Sequence, residues 1–408
     1  NNSGIYFYND LPGDTKLDLI EITNCEVYGF KDNGILIGGW NGNSGFTNVL
    51  IENNKIHDIL DKGIFSYGKF SSTKTGYAHS NITVRSCEVY NIKGYTKEKA
   101  GHSGNGIVLS DVQHSVIEHC TAYNSGSGNT FSGGGPVGIW YWDADQVTIQ
   151  FNEVYGMASG TKDGGGFDMD GGVTNGIMQY NYSHDNQGAG YLIGQFTGAR
   201  PMANITVRYN ISQNDAATNG GSIYLFNGGS SSDMKNIFVY NNTLHTNKQP
   251  SNSSIAGIKL LEWKTMNDNL NFHNNILFVE EGVNLIAVPS GYAGTFSGNL
   301  YYSSGTSFNI LYQGTNYNSL SGFREKTQQE TMDGLPVGYQ GNPLLTDAGN
   351  GEIIGFGNKL SDLSNYKLQP DSPATSNGIT IPYDFGERDF YGNHLSSTGT
   401  KLIGAHQY

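Results

Sequence analysis

The chain has 408 residues, only 14% of them charged, with 57 glycines, 26 tyrosines and a formal net charge of −13. So few charges and so many turn formers suit short strands joined by turns rather than helices. The acidic balance, with no Lys/Arg stripe, argues against a nucleic-acid partner, and no apolar run is long enough to span a membrane as a helix.

In chain order, residues 1–20 read as an N-terminal cap. From Cys25 a phrase then recurs, an apolar residue, two variable residues and Asn or Cys, as in Ile51-Glu52-Asn53-Asn54, Val84-Arg85-Ser86-Cys87 and Val207-Arg208-Tyr209-Asn210. Its last positions are Cys25, Asn54, Cys87, Cys120, Asn152, Asn181, Asn210, Asn242 and Asn275, spaced by 29, 33, 33, 32, 29, 29, 32 and 33 residues. Periods of this size mark stacked repeats. A buried Asn at a recurring turn can hydrogen-bond the backbone and the Asn of the next repeat, and the three cysteines, in the same column, read as small packed residues with no disulfide or metal role.

A second phrase follows in each repeat, a small residue and then alternating apolar residues: Gly34-Ile35-Leu36-Ile37, Gly106-Ile107-Val108-Leu109, Gly138-Ile139-Trp140-Tyr141, Gly166-Phe167-Asp168-Met169. These are short strands, and two or three per coil, stacked on the next coil, build an all-β parallel solenoid. The pattern resembles the right-handed parallel β-helix of pectin-lyase-like carbohydrate-active enzymes over about residues 15–300. The closing segment, Asp389-Phe390-Tyr391-Gly392 and Ile403-Gly404-Ala405-His406-Gln407-Tyr408, resembles the C-terminus of many secreted β-helix polysaccharide enzymes. The expected organisation is a cap over 1–20, a β-helix catalytic domain over 21–300 and an irregular segment over 301–408 that packs on the helix and caps it.

Loop lengths point to one side of the solenoid. From ladder residue to the next strand glycine the chain takes 9 residues after Cys25, Asn54 and Asn181, but 19 after Cys87, 18 after Cys120 and 14 after Asn152. Insertions at one turn map to one face of a repeat protein, so residues 92–105, 125–137 and 157–165 are expected to wall a cleft.

Strand alternation then says which side chains face that cleft. With Ile139/Tyr141 and Phe167/Met169 inward, Trp140, Trp142, Asp168 and Asp170 point outward, and Tyr224 follows two coils later. Two carboxylates at i and i+2 lie about 6.6 Å apart at Cα, and their repulsion separates their pKa values into one acid and one base. Glycoside hydrolysis needs that division of labour. Asp168 and Asp170 are therefore the candidate catalytic pair, with Asp143 as a third carboxylate. Trp140, Trp142 and Tyr224 are candidate sugar platforms, and Gln195, Arg200, Lys259 and His184 candidate substrate contacts, although His184 also belongs to a column of planar side chains that runs from Tyr28 to His245.

The tract Asp163-Gly164-Gly165-Gly166-Phe167-Asp168 resembles the acidic calcium segment of some β-helix pectate lyases. That likeness implies Asp163 and Asp168, with Asp170 as a third candidate, as Ca²⁺ ligands and Arg200 or Lys259 as base. The Gly-His-Gly and Arg-Ile-Lys signatures of polygalacturonases are absent. The expectation is a secreted, periplasmic or surface-held microbial glycoside hydrolase. It would be a monomer acting on a polysaccharide or oligosaccharide, needing no cofactor although Ca²⁺ is compatible, with neither nucleic acid nor membrane as partner. The alternatives are a Ca²⁺-dependent polysaccharide lyase and a noncatalytic glycan-binding solenoid. The start at Asn1-Asn2-Ser3-Gly4, without Met, fits a processed or truncated product.

Overall fold

A computed structural model describes residues 2–96, 101–229, 233–261, 266–395 and 402–407. Each coil of the solenoid has three faces. The strands of the Gly-Ile phrase form the first, the strands that end at the ladder residue form the second, and short strands such as Glu153–Tyr155 and Tyr182–His184 form the third. In two coils the first and second faces are one unbroken strand, Asn105–Glu118 and Val137–Gln150, which bends round the corner. Pairing between these coils is parallel and in register.

Register follows from the core. Ile35, Ile64, Ile107, Ile139, Phe167, Tyr191, Ile223 and Ile258 pair one above another along the first face, and none is exposed to solvent. A slip of one residue would put this whole column into water and bury the outward row instead.

The corner between the second and third faces explains the recurring Asn. The residue before each ladder position adopts a left-handed backbone, including Ser86, His119, Phe151, Tyr180, Tyr209 and Asn241 at φ values of 50° to 56° and 58° for Tyr180. That conformation costs a non-glycine residue about 1–2 kcal/mol, and the ladder amides offset it. Asn181 is typical: its N–H and Nδ2 both donate to Asn210 Oδ1 at 3.0 and 3.1 Å, Nδ2 also donates to Ile149 O at 3.0 Å, and its own Oδ1 accepts from Asn152 N–H at 3.0 Å. One side chain thus ties three coils.

The ladder runs two steps beyond the positions seen in the sequence. Asn275 donates to Asn299 Oδ1, and Asn299 donates to the fully buried Glu330, which also accepts from Gly298 N–H and Tyr301 Oη. A carboxylate accepts without donating, so Glu330 is a natural terminus for a chain of donated bonds.

At the other end, strands Ile5–Asn9 and Lys16–Thr23 pair in parallel with Asn33–Gly39 and Gly45–Glu52. Most of the segment expected to be a cap is therefore itself a coil. The far end of the core is covered by the helix Leu320–Thr327, capped by Ser319, whose Leu320 and Phe323 are buried; Phe323 packs on Tyr312 and Tyr317. The C-terminal segment turns back along the third face. Ile354 and Gly355 N–H donate to Glu153, Gly351 N–H to Gln213, and Ala405 N–H to Thr243. Buried Asp389 holds the closing motif together by accepting from the N–H groups of Tyr391, Asn393 and Gln407; Tyr408 lies outside the described residues. Cys25, Cys87 and Cys120 are free thiols, and the Cys87 N–H points at Cys120 Sγ at 3.4 Å in the place of an amide contact.

We expect Asn181→Ala to lower stability by about 2–3 kcal/mol, because it strands buried donors of Asn152 and the carbonyl of Ile149. The urea unfolding midpoint reads this out, and an unchanged midpoint would mean that the ladder does not hold the stack.

Candidate active site

The first face carries a cleft of about 470 Å³ over its middle coils. Its floor is the outward row of three consecutive strands, because Trp140 pairs with Asp168, Trp142 with Asp170, and Asp168 with Leu192. One wall comes from the inserted loops, represented in the lining by His102, Gly133, Gly134, Gly135, Lys162 and Asp163. Residues 97–100 of the first loop lie outside the described residues. Buried Asn129 braces these loops, accepting from Ser103 N–H at 3.1 Å and donating to Thr161 Oγ1 at 3.0 Å. A second loop was not foreseen. It is the connection between strands at 68–78, whose Phe70 packs against Trp142 and Phe196, two of the rings that line the cleft, at ring distances of 5.4 and 6.4 Å.

Asp168, Asp170 and Asp163 line this one cleft together with Trp140, Trp142 and Tyr224. Asp168 is 4% exposed and its Oδ1 has no hydrogen-bond partner. Burial, then the charges of Asp170 and Asp163, hold its pKa well above the usual carboxylate range. Asp170 is pushed up to about 7 by burial, against a hydrogen bond from Gly171 N–H at 2.8 Å. Two glycines make that burial possible. A Cβ on Gly194 would collide with the Phe226 ring and one on Gly171 with the Phe196 ring, so both rings close in beside Asp170 where other residues would hold them off. Asp163 has a left-handed backbone (φ 58°), accepts from Gly135 N–H at 2.7 Å, and is also raised by burial.

The other sequence candidates stand elsewhere. Asp143 does not line the cleft. Its left-handed backbone (φ 50°) breaks the strand alternation and turns its side chain into the wall, where it pairs with Arg200 at 2.6 Å. Arg200 in turn sits 4.2 Å from the Tyr77 ring centroid and so ties the 68–78 loop to the solenoid; Asp111, one coil earlier, does the same by pairing with Lys74 and accepting from Ala78 N–H. Gln195 is fully buried, donating to Arg200 O and Asp233 O. Lys259 donates to Ser254 Oγ at 2.7 Å, behind Tyr224. His184 lies on the third face, stacked on Tyr155 and Tyr182 and hydrogen-bonded to Asp185 and Glu153.

Trp140 is less free than expected: its indole N–H donates to Asn105 Oδ1 at 3.0 Å and only 5% of it is exposed. Lys62, His102 and Phe196 line the cleft without having been singled out from sequence. Burial lowers the His102 pKa to about 4, so it is neutral at pH 7 and its ring lies 5.4 Å from that of Trp140. Among the described residues no group of three or more His, Cys, Asp or Glu side chains is arranged to hold a metal ion.

The family described as the right handed beta helix region matches residues 1–277, and the chain belongs to it. A relative, lacto-N-biosidase of Bifidobacterium longum subsp. longum, is 25% identical over 238 residues, 52% of this chain. The chain spans only 13% of that protein's length.

Two outcomes follow. Between about pH 4, where unfolded carboxyls ionise, and about 7, where Asp170 does in the folded protein, the folded state binds more protons than the unfolded one, so its stability falls as pH rises through that window. Asp170→Asn removes the share of this dependence that Asp170 contributes, leaving that of Asp143 and Asp215, and its Tm should gain on the parent protein between pH 4 and pH 7; a constant Tm difference would contradict the buried setting. Arg200→Met strands the Asp143 charge and should cost about 3 kcal/mol, largely restored by a second change, Asp143→Asn, in urea unfolding. A loss of activity with no loss of stability would instead make Arg200 a substrate contact.

Proposed function

We propose that the protein is a glycoside hydrolase that lays a glycan along the first face and cleaves it beside Asp168 and Asp170. The observation that carries this reading is the pair of carboxylates side by side on one strand in a ring-lined cleft, Asp168 raised well above the usual carboxylate range by burial and by the charges of Asp170 and Asp163, and Asp170 pushed up to about 7 by burial. The protonated carboxyl of Asp168 donates to the glycosidic oxygen as its bond to the anomeric carbon breaks. Ionised Asp170 either attacks that carbon or takes a proton from the water that does. Water is the only co-substrate the balance requires. Asp163, across the cleft, makes ionisation of the pair harder and so helps keep the acid loaded.

Trp142, Tyr224 and Phe65 offer ring faces to the apolar faces of pyranoses, and Lys62 and Lys162 offer donors to hydroxyls. The likeness to a stretch of a protein named lacto-N-biosidase supports a carbohydrate-active role. A glycan substrate fits a monomer working outside a microbial cell, where such chains are met.

The test is a panel of plant, algal and microbial glycans read by reducing ends and by ultraviolet absorbance, with and without chelator. We expect new reducing ends, unaffected by chelator, and a kcat lowered about 10²–10⁴-fold by Asp168→Asn. The profile of kcat/KM should rise with pH through about 7 as Asp170 ionises. An unsaturated, ultraviolet-absorbing product lost in chelator would mark a lyase, and retention of intact glycan would mark a binding solenoid; either result ends the hydrolase reading.

A further inference from the structure

Exposed aromatic rings gather on the first coils, on the same face as the cleft. Tyr6, Tyr8 and Trp40 are 37%, 44% and 52% exposed. They are not scattered. Tyr6 and Tyr8 alternate on one strand, so both point outward from the first face. Above them Leu36 pairs with Phe65 and Gly38 with Tyr67. A Cβ on Gly38 would collide with the Tyr67 ring, so this glycine leaves space for Tyr67 to reach down one coil, where its hydroxyl meets that of Tyr6 at 2.6 Å. Trp40 lies beside it, with ring centroids 6.1 Å apart.

The strip is continuous with the cleft through Phe65, which lines the cleft and stacks on Tyr67 at 5.6 Å. In register, the row runs Tyr6, Leu36, Phe65, Val108, Trp140, Asp168. Five steps of about 4.8 Å separate its ends by about 24 Å, and each step is close to the length of one sugar in an extended chain.

We propose that Tyr6, Tyr8, Trp40 and Tyr67 form a distal binding track for the far end of a neutral glycan chain whose other end enters the cleft. The inference rests on the hydrolase reading for the identity of the ligand, and it makes the substrate a chain of several sugars. These rings present the combination that sugars need, flat apolar faces with hydroxyl or indole N–H groups at the edge. Asp10, whose charge acts on Tyr8, and the net charge of −13 select against a polyanion. A packed-core role is ruled out by the exposure of the rings, which touch one another instead of filling the interior.

The test uses Asp168→Asn protein, to hold glycans uncut, with a length series of neutral glucans, xylans and galactans from disaccharides to octasaccharides. Affinity should climb with length until the chain reaches the first coils. Trp40→Ala and Tyr67→Ala should each reduce the octasaccharide-to-disaccharide affinity ratio about three- to tenfold. Leu19→Ala, 65% exposed on the first coil but on the second face, should not. A ratio unchanged in both aromatic variants, or octasaccharides bound no tighter than disaccharides, overturns the track. The two proposals fail separately: length-dependent binding lost in the variants while the parent protein cuts nothing keeps the track and sinks the hydrolase, and cleavage with an unchanged ratio does the reverse.

Discussion

The vertical registration of one coil on the next is the constraint on which the rest depends, and the buried amide ladder fixes it. Backbone pairing alone allows a strand to slide; a side chain such as Asn181, bonded to the coil above and the coil below at a left-handed corner, does not. The corner and the amide need each other. The left-handed residue turns the chain sharply enough to bring the following Asn inward, and the Asn satisfies the backbone groups that the turn exposes. Once the corner is pinned, alternation along the first face aims every second side chain at the cleft floor.

Against this rigid frame the cleft is a local expense. Three carboxylates share an apolar, ring-lined space, and the most buried of them has an oxygen with no partner, a choice that costs stability and is tolerated where chemistry repays it. The neighbouring 68–78 loop is held by charges of a different kind. Asp111 with Lys74 and Asp143 with Arg200 are paired ions that clamp the 68–78 loop onto the solenoid, so the same residue type stands as the candidate reactive group at 168 and as an anchor at 143. Pairing decides which: a carboxylate facing a guanidinium is held in place, while one facing rings and another carboxylate is left ready to exchange a proton.

That distinction also marks how far the sequence could be read. The fold, the cysteine column, and the common exposure of Asp168 and Asp170 to one face all follow from period and parity, which are properties of the chain itself. Asp143 escapes because parity assumes an unbroken strand, and the left-handed residue at 143 breaks it; the pattern Trp142-Asp143-Ala144 carries no glycine to announce the turn. Gln195 fails for a related reason, since it ends its strand and its amide is drawn into the wall. His102 sits in an inserted loop, where spacing sets no direction. The 68–78 loop was legible in principle, as the stretch from Tyr67 to His79 is longer than the matching connection of most coils, but it lies at a different corner from the other insertions. Asn299 was missed because its coil is only 24 residues from Asn275, and Glu330 because the ladder there ends on a different residue type.

The same rigidity narrows the chemistry. Asp168 and Asp170 sit on a strand whose first-face partners hold it in place, Trp140 and Trp142 on one side and Leu192 on the other, so their backbone separation is that of any i and i+2 pair, about 6.6 Å. What decides the outcome is the gap between the carboxyl groups, about 5–5.5 Å for direct attack on the sugar and about 6.5–9.5 Å to admit a water, and side-chain rotamers can carry a pair at that Cα spacing to either. The backbone cannot choose between them. What remains adjustable is the space around Asp170, where Phe226 occupies the room over Gly194 and Phe196 the room over Gly171. If the rings press the carboxylate toward the sugar, no water fits and the configuration at the anomeric carbon is retained; if they leave it back against the wall, a water enters and the configuration inverts. Under the proposed hydrolysis, two glycines, by deciding where two aromatic rings may lie, would therefore bear on the stereochemical course alongside the spacing of the acids.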